Sequence, residues 1–175
     1  MAPTPLTPSS LAWKDIFKGA NYDASNDQQS SSDHDLVGNA TSAVLQGQTS
    51  GTGDATMLYF RARMGDDVPR TSVMLGIDIN QDGRFDLFVE ANVRDSDPTK
   101  YYISLHKSDP TKSGVSPSTT GWLNSSNNTL IERPLVASST YLSVASAGGD
   151  IDANGKTDAW ISFGFSFSDL KTFVK

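Results

Sequence analysis

The nine residues Asp78-Ile-Asn80-Gln-Asp82-Gly83-Arg84-Phe-Asp86 place side-chain oxygens at the first, third, fifth and ninth positions and a glycine at the sixth. Oxygens at alternate positions of a tight loop converge on one point. The glycine supplies the sharp turn, after which the seventh residue can offer its backbone carbonyl. A hard cation such as calcium gathers roughly 6 to 8 oxygens of this kind. The spacing therefore predicts calcium ligation by Asp78, Asn80, Asp82, the Arg84 carbonyl and Asp86. A second stretch, Asp150-Ile-Asp152-Ala-Asn154-Gly155-Lys156-Thr-Asp158, repeats the pattern with Asp and Asn exchanged at two positions. It predicts a second ligand set of Asp150, Asp152, Asn154, the Lys156 carbonyl and Asp158.

The bidentate glutamate that closes a helix–loop–helix calcium hand would fall at Val89 and at Ile161, neither of which can ligate. Both loops run into alternating apolar residues rather than a helical pattern, so a sensor-type helix opening is not expected. Further oxygens must come from water, backbone or another segment. The run holding Asp23, Asn26, Asp27, Asp33 and Asp35 is a candidate donor or a third site.

Strands are the elements expected to position these loops. Thr56 to Met64 sets Leu58, Phe60, Ala62 and Met64 against Met57, Tyr59, Arg61 and Arg63, the period of a sheet with one face buried and one wet. Thr71 to Ile79 aligns Val73, Leu75 and Ile77. Phe85, Leu87 and Val89 follow the first loop, and Tyr101, Ile103 and Leu105 the next turn. Thr140 to Ala147 and Thr157 to Phe167 return to strand character, with Ile161, Phe163, Phe165 and Phe167 on one face of the last. Asp109 to Asn128 reads as a long Ser/Thr/Gly/Pro/Asn loop anchored by Trp122. Residues 1–9, with three prolines, read as an extended arm, and residues 10–175 as a single domain. Ser10 is placed to cap a short helix through Lys18. The resulting fold class is all-β, an antiparallel two-sheet β-sandwich of jelly-roll or immunoglobulin-like topology with at most one short N-terminal helix.

Composition narrows the function. A net charge of −6 argues against a phosphate-binding surface, so nucleic acid is not an expected partner. Eighteen of the 20 acidic residues are Asp, the residue of tight turns and metal loops, with Glu90 and Glu132 the exceptions. The absence of cysteine excludes disulfides, thiolate metal sites and a thiol nucleophile. No apolar run is long enough to span a bilayer. Met1-Ala-Pro-Thr-Pro lacks the regions of a signal peptide, which leaves a removed signal, another export route or cytosolic residence open.

His34 and His106 are the only histidines, and both read as surface residues, which leaves too few parts for a histidine triad or a zinc centre. No carboxylate pair outside the loops stands out for glycoside hydrolysis. Trp13, Trp122, Tyr101 and Tyr102 could stack on sugar faces, although core packing is the more ordinary role of such rings.

The nine-residue loops resemble those of dockerins, thrombospondin type 3 repeats and bacterial secreted or cell-surface β-domains. Together with Tyr22 to Gln29, Asp35 to Gly38, Leu58 to Arg63, Gly76 to Gly83 and Phe163 to Leu170, the stretch from Asn21 to Leu170 is similar to bacterial surface-associated β-sandwich domains. The resemblance implies an extracellular or cell-surface setting. The expected function is a non-catalytic, calcium-stabilised structural module, such as an adhesin, matrix or filament subunit. Its partners would be other copies of itself or neighbouring domains of a surface protein, with the arm as a possible donor strand. A calcium-dependent carbohydrate-binding module, with a glycan as ligand, is the alternative.

Overall fold

A computed structural model of the chain describes residues 12–18, 34–108, 133–134 and 140–174. The described strands are β1 (Lys14–Phe17), β2 (Leu45–Ser50), β3 (Met57–Met64), β4 (Ser72–Ile77), β5 (Leu87–Asn92), β6 (Tyr102–Lys107), β7 (Arg133–Pro134), β8 (Thr140–Ser146) and β9 (Ala159–Ser166). One helix, α1 (Phe167–Val174), follows the last strand. All described pairings are antiparallel, in a five-stranded sheet of order β1-β2-β3-β9-β8 and a four-stranded sheet of order β4-β5-β6-β7. The expected all-β two-sheet architecture is the one observed. The smaller sheet is a simple meander, whereas the larger inserts β9 between β3 and β8.

Alternation explains the core. Leu58, Phe60, Ala62 and Met64 of β3 lie opposite Phe165, Phe163, Ile161 and Ala159 of β9, and Leu142 and Val144 of β8 continue the same row. Val73, Val89, Ala91, Ile103 and Leu105 of the smaller sheet pack into the same cluster. Phe60 stacks on both Phe163 and Phe165, with ring centroids 5.9 and 6.0 Å apart. On the other face of β9, an added Cβ at Gly164 would fall 2.5 Å from the Tyr59 ring, so the missing side chain is what lets that ring lie across the sheet.

Four readings of the sequence need correction. The N-terminal helix is replaced over its described part by strand β1, which pairs with β2, and the short helix of this fold is C-terminal. Pairing to an available edge overrode a capping signal that had little apolar periodicity behind it. The last strand ends at Ser166, because Phe167 opens α1 and is left partly exposed. The second face of β3 is less wet than alternation implies, since Tyr59 and Arg63 are buried there. His106 is not a surface residue following a strand: it lies within β6, 4% exposed, and its Nε2 is 3.1 Å from Glu90 Oε2. His34 is exposed as expected. The Pro-rich arm, Trp122, the Asp109 to Asn128 loop, Asp23, Asn26, Asp27 and Asp33 lie outside the described residues.

Candidate metal centre

Both nine-residue loops are hairpin connections, the first joining β4 to β5 and the second β8 to β9. Each is closed by the strand ladder running up to its last aspartate. Asp86 N donates to the Ile77 carbonyl at 2.9 Å, and Asp158 N to the Gly149 carbonyl at 2.9 Å.

The two backbones are the same device built twice. Gly83 and Gly155, at the sixth position, both have φ of 87°, the left-handed conformation for which the glycine was expected. The fourth residues, Gln81 and Ala153, also have positive φ, 61° and 56°. Spacing alone gave no sign of that second left-handed residue. In each loop the first aspartate organises the turn: Asp78 accepts from Gln81 N at 2.6 Å and Gly83 N at 2.9 Å, and Asp150 from Asn154 N at 3.0 Å and Gly155 N at 2.9 Å. The fifth residue caps the seventh, through Arg84 N to Asp82 at 2.9 Å and Lys156 N to Asn154 at 2.8 Å. The ninth reaches back to the second, through Ile79 N to Asp86 at 2.7 Å and, more loosely, Ile151 N to Asp158 at 3.3 Å.

The loops differ in what surrounds them. Asp150, Asp152 and Asp158 are the one set of three potential ligand side chains, among the described residues, whose oxygens lie within 4.8 Å of one another. Asp78, Asp82 and Asp86 are not gathered in this way, and Asn80 donates to Asp82 over a long 3.3 Å. The first loop faces solvent from Ile79 to Arg84.

The second loop is seated against the end of β3 and the turn after it. Arg63 Nε donates to Asp158 Oδ2 at 2.8 Å, and the same guanidinium donates to the Gly148 carbonyl. Asn154 Nδ2 donates to the Gly65 carbonyl and, at 2.8 Å, to Asp152 Oδ2. Lys156 is paired with Asp66, whose other oxygen accepts from Val68 N at 3.0 Å. A Cβ at residue 65 would lie 2.7 Å from Asp152 Oδ2, so the glycine is what allows that carboxylate to rest on the turn. Gly65 N in turn donates to the Asp35 carbonyl at 3.0 Å, which places the one described member of the acidic run beside the turn that carries the loop. Arg63, Gly65 and Asp66 were not legible as site residues. They precede the loop by some ninety positions, and no spacing rule links them to it.

The electrostatics follow from this seating. Burial, reinforced by the hydrogen bond and negative charge of Asp150, pushes the Asp152 carboxyl above the ordinary range. For Asp150 desolvation acts in the same upward direction, but amide donation from Gly155, the hydrogen bond with Asp152 and amide donation from Asn154 outweigh it and hold the group low. Asp158 is fully buried and is compensated through one oxygen by Arg63. The donor set offered by the loop is oxygen only, two or three carboxylates with an amide oxygen and a backbone carbonyl. That is the chemistry that suits a hard divalent cation and disfavours zinc or copper.

No comparable arrangement supports covalent chemistry among the described residues. Ser104 Oγ, His106 Nε2 and Glu90 Oε2 lie 3.1 Å from one another on the outer face of the smaller sheet. A serine relay needs the two different ring nitrogens, one toward each partner, whereas here serine and glutamate meet the same one. Ser104 and His106 are also buried. The network does fix Glu90, which additionally accepts from Ser72 at 2.8 Å and Asn92 at 3.0 Å. Burial pushes its carboxyl up, but donation from His106, Asn92, Ser72 and Ser104 prevails and lowers it to about 2.

Of the rings considered as a sugar platform, the three that are described, Trp13, Tyr101 and Tyr102, are engaged elsewhere. Trp13 and Trp160 hold the Arg61 guanidinium 4.6 and 4.3 Å from their ring centroids. Tyr101 packs on the core, and the Tyr102 hydroxyl accepts from Asn92 at 2.8 Å.

No family model, no curated protein and no solved structure matches this chain.

Proposed function

We propose that the chain is a non-catalytic structural module in which calcium, held by the second loop, fastens the β8–β9 hairpin to the end of β3. The observation that carries this reading is the convergence of Asp150, Asp152 and Asp158 within 4.8 Å, on a loop already bound to its neighbours through Arg63, Gly65 and Asp66. Three carboxylates held together repel one another, and a bound divalent ion converts that repulsion into attraction. Asp150, Asp152, Asn154, the Lys156 carbonyl and Asp158 would hold the ion. The first loop, with Asp78, Asn80, Asp82, the Arg84 carbonyl and Asp86, is a weaker second site that the cation itself must draw together.

A cation bound only to the native state stabilises it by about 2.7 kcal/mol at 100 times the dissociation constant. Weak sites of this kind fill at the millimolar calcium of an extracellular medium and not in the cytosol, which fits the exported, cell-surface setting implied by the resemblance. Calorimetric titration of the wild type, Asp152→Ala and Asp82→Ala tests the assignment. Two events are expected in the wild type, the tighter one absent from Asp152→Ala and the weaker one from Asp82→Ala. A wild type that takes up no calcium and melts at one temperature with or without chelator would refute the proposal.

A further inference from the structure

A cleft of about 680 Å³ runs between the two sheets on the side where β1 and β4 form their edges. Phe17, Phe60, Leu75 and Phe163 line it, together with Leu170 of α1. Ile16 and Phe17, at its rim, are 44% and 47% exposed, so the cleft reaches solvent beside β1. Asp78 is the only ionisable residue among the described residues of the lining, and its two carboxylate oxygens already accept from the amides of Gln81 and Gly83.

We propose that this cleft binds an uncharged apolar small molecule, with an alkyl chain lying between the sheets. Its volume falls within the range of about 300–1,000 Å³ typical of small-molecule sites. Apart from Asp78 its described lining is apolar, and burying an alkyl chain against such a surface removes apolar area from water. The lining determines the charge of the occupant. Among the described residues no cation faces the cleft to receive a carboxylate or phosphate head group, and the one charge they place there is negative, so a fatty-acid anion is repelled while an alcohol of the same chain length is accepted. The first calcium loop forms one wall: Phe85 lines the cleft from that loop, and its ring centroid lies 5.4 Å from that of Phe88.

The experiment is a fluorescence titration of the full chain with N-phenyl-1-naphthylamine, an uncharged probe, followed by competition with 1-dodecanol and with dodecanoate at pH 8. Saturable binding of one probe per chain is expected, displaced by the alcohol and not by the carboxylate at equal concentration. Leu58→Trp, which fills the cleft from β3, should weaken probe binding by on the order of tenfold or more. Methyl NMR of the wild type gives a reading independent of whether that variant folds. Dodecanol should shift Leu75 and Ile77 and leave Leu105, on the far strand β6, unmoved. Absence of saturable binding overturns the proposal, as do methyl shifts confined to residues outside the cleft. So does a dimer that excludes the probe, which would assign the cleft to a second chain. The titrations are run in chelator, where Asp78 keeps its negative charge whether or not the loop binds calcium, so the two proposals stand or fall separately.

Discussion

Arg63, in the sequence run that forms β3, and Asp158, at the end of the second loop, are 95 residues apart and are joined by an Nε to Oδ2 hydrogen bond of 2.8 Å between two buried side chains. This contact makes the loop a part of the sheet rather than an appendage to it. Asp158 is fully buried, and Arg63 compensates its charge.

Arg63→Ala should therefore destabilise the fold by about 3–5 kcal/mol, because it leaves a buried carboxylate without its counter-charge. Chemical denaturation measures the loss. In the double variant Arg63→Ala/Asp158→Asn the cost should be smaller than in the single variant, since no orphaned charge remains. Equal losses would mean that the pair is not the source of the stability.

Glu90 supplies a pH dependence whose sign is fixed. Its folded-state carboxyl is lowered from 4.5 to about 2 by four donors that outweigh the opposing effect of burial. A depressed acid contributes stability above its unfolded pKa and loses it as pH falls through the folded value. The contribution, on the order of 3 kcal/mol, should be complete above roughly pH 4.5 and vanish toward pH 2. Glu90→Gln should melt lower than the wild type at pH 7, and the gap between the two should close on acidification. A gap that is constant with pH would show that Glu90 acts only by filling space.

Ala153→Gly and Gln81→Gly should each stabilise the cation-free protein, by about 0.5–1 kcal/mol, because glycine adopts the observed φ of 56° and 61° without the steric cost borne by an L side chain. Melting temperatures in chelator provide the check. A drop in either variant would mean that the side chain contributes more than its backbone conformation costs.

Gly65→Ala tests the seating of the second loop without touching a ligand. The added methyl would lie 2.7 Å from Asp152 Oδ2 and must push that carboxylate off the turn. Under the proposed function, the tighter of the two calcium affinities should fall by about tenfold or more, while the weaker one is unchanged. Gly164→Ala is the matched control for general damage. Its methyl meets the Tyr59 ring, so it should cost about 1–3 kcal/mol of stability and leave both affinities as they were.

How much of this could be read from the sequence depended on whether the information was local. β9 announced itself, since Ile161, Phe163 and Phe165 alternate with small residues over an unbroken run. β2 did not. Leu45-Gln-Gly-Gln-Thr-Ser has a single large apolar residue and owes its strand to full pairing with β3, a partner that no local pattern identifies. β1 was mistaken for a helix for the same reason, its extended form being fixed by β2. The loops were legible down to the glycine, because ligand spacing is itself a local geometry. Their inequality was not, because it arises from Arg63, Gly65 and Asp66. His106 was misplaced because the outer face of the smaller sheet is buried, contrary to what alternation alone suggests.

The position of β9 also governs the order in which the molecule can be made. It is an interior strand of the larger sheet, paired along its whole length with β3 on one side and from Ala159 to Phe165 with β8 on the other, and it comes after every other described strand along the chain. Until residues up to Ser166 have emerged from a ribosome or an export channel, β3 lacks a neighbour on that side and the inner faces of the two sheets cannot close. We expect a chain ended at Gly149 to remain unfolded and protease-sensitive in calcium, and slow, all-or-none closure once β9 is supplied, as contacts spanning about a hundred residues impose. A chain built this way stays threadable until its last strand arrives.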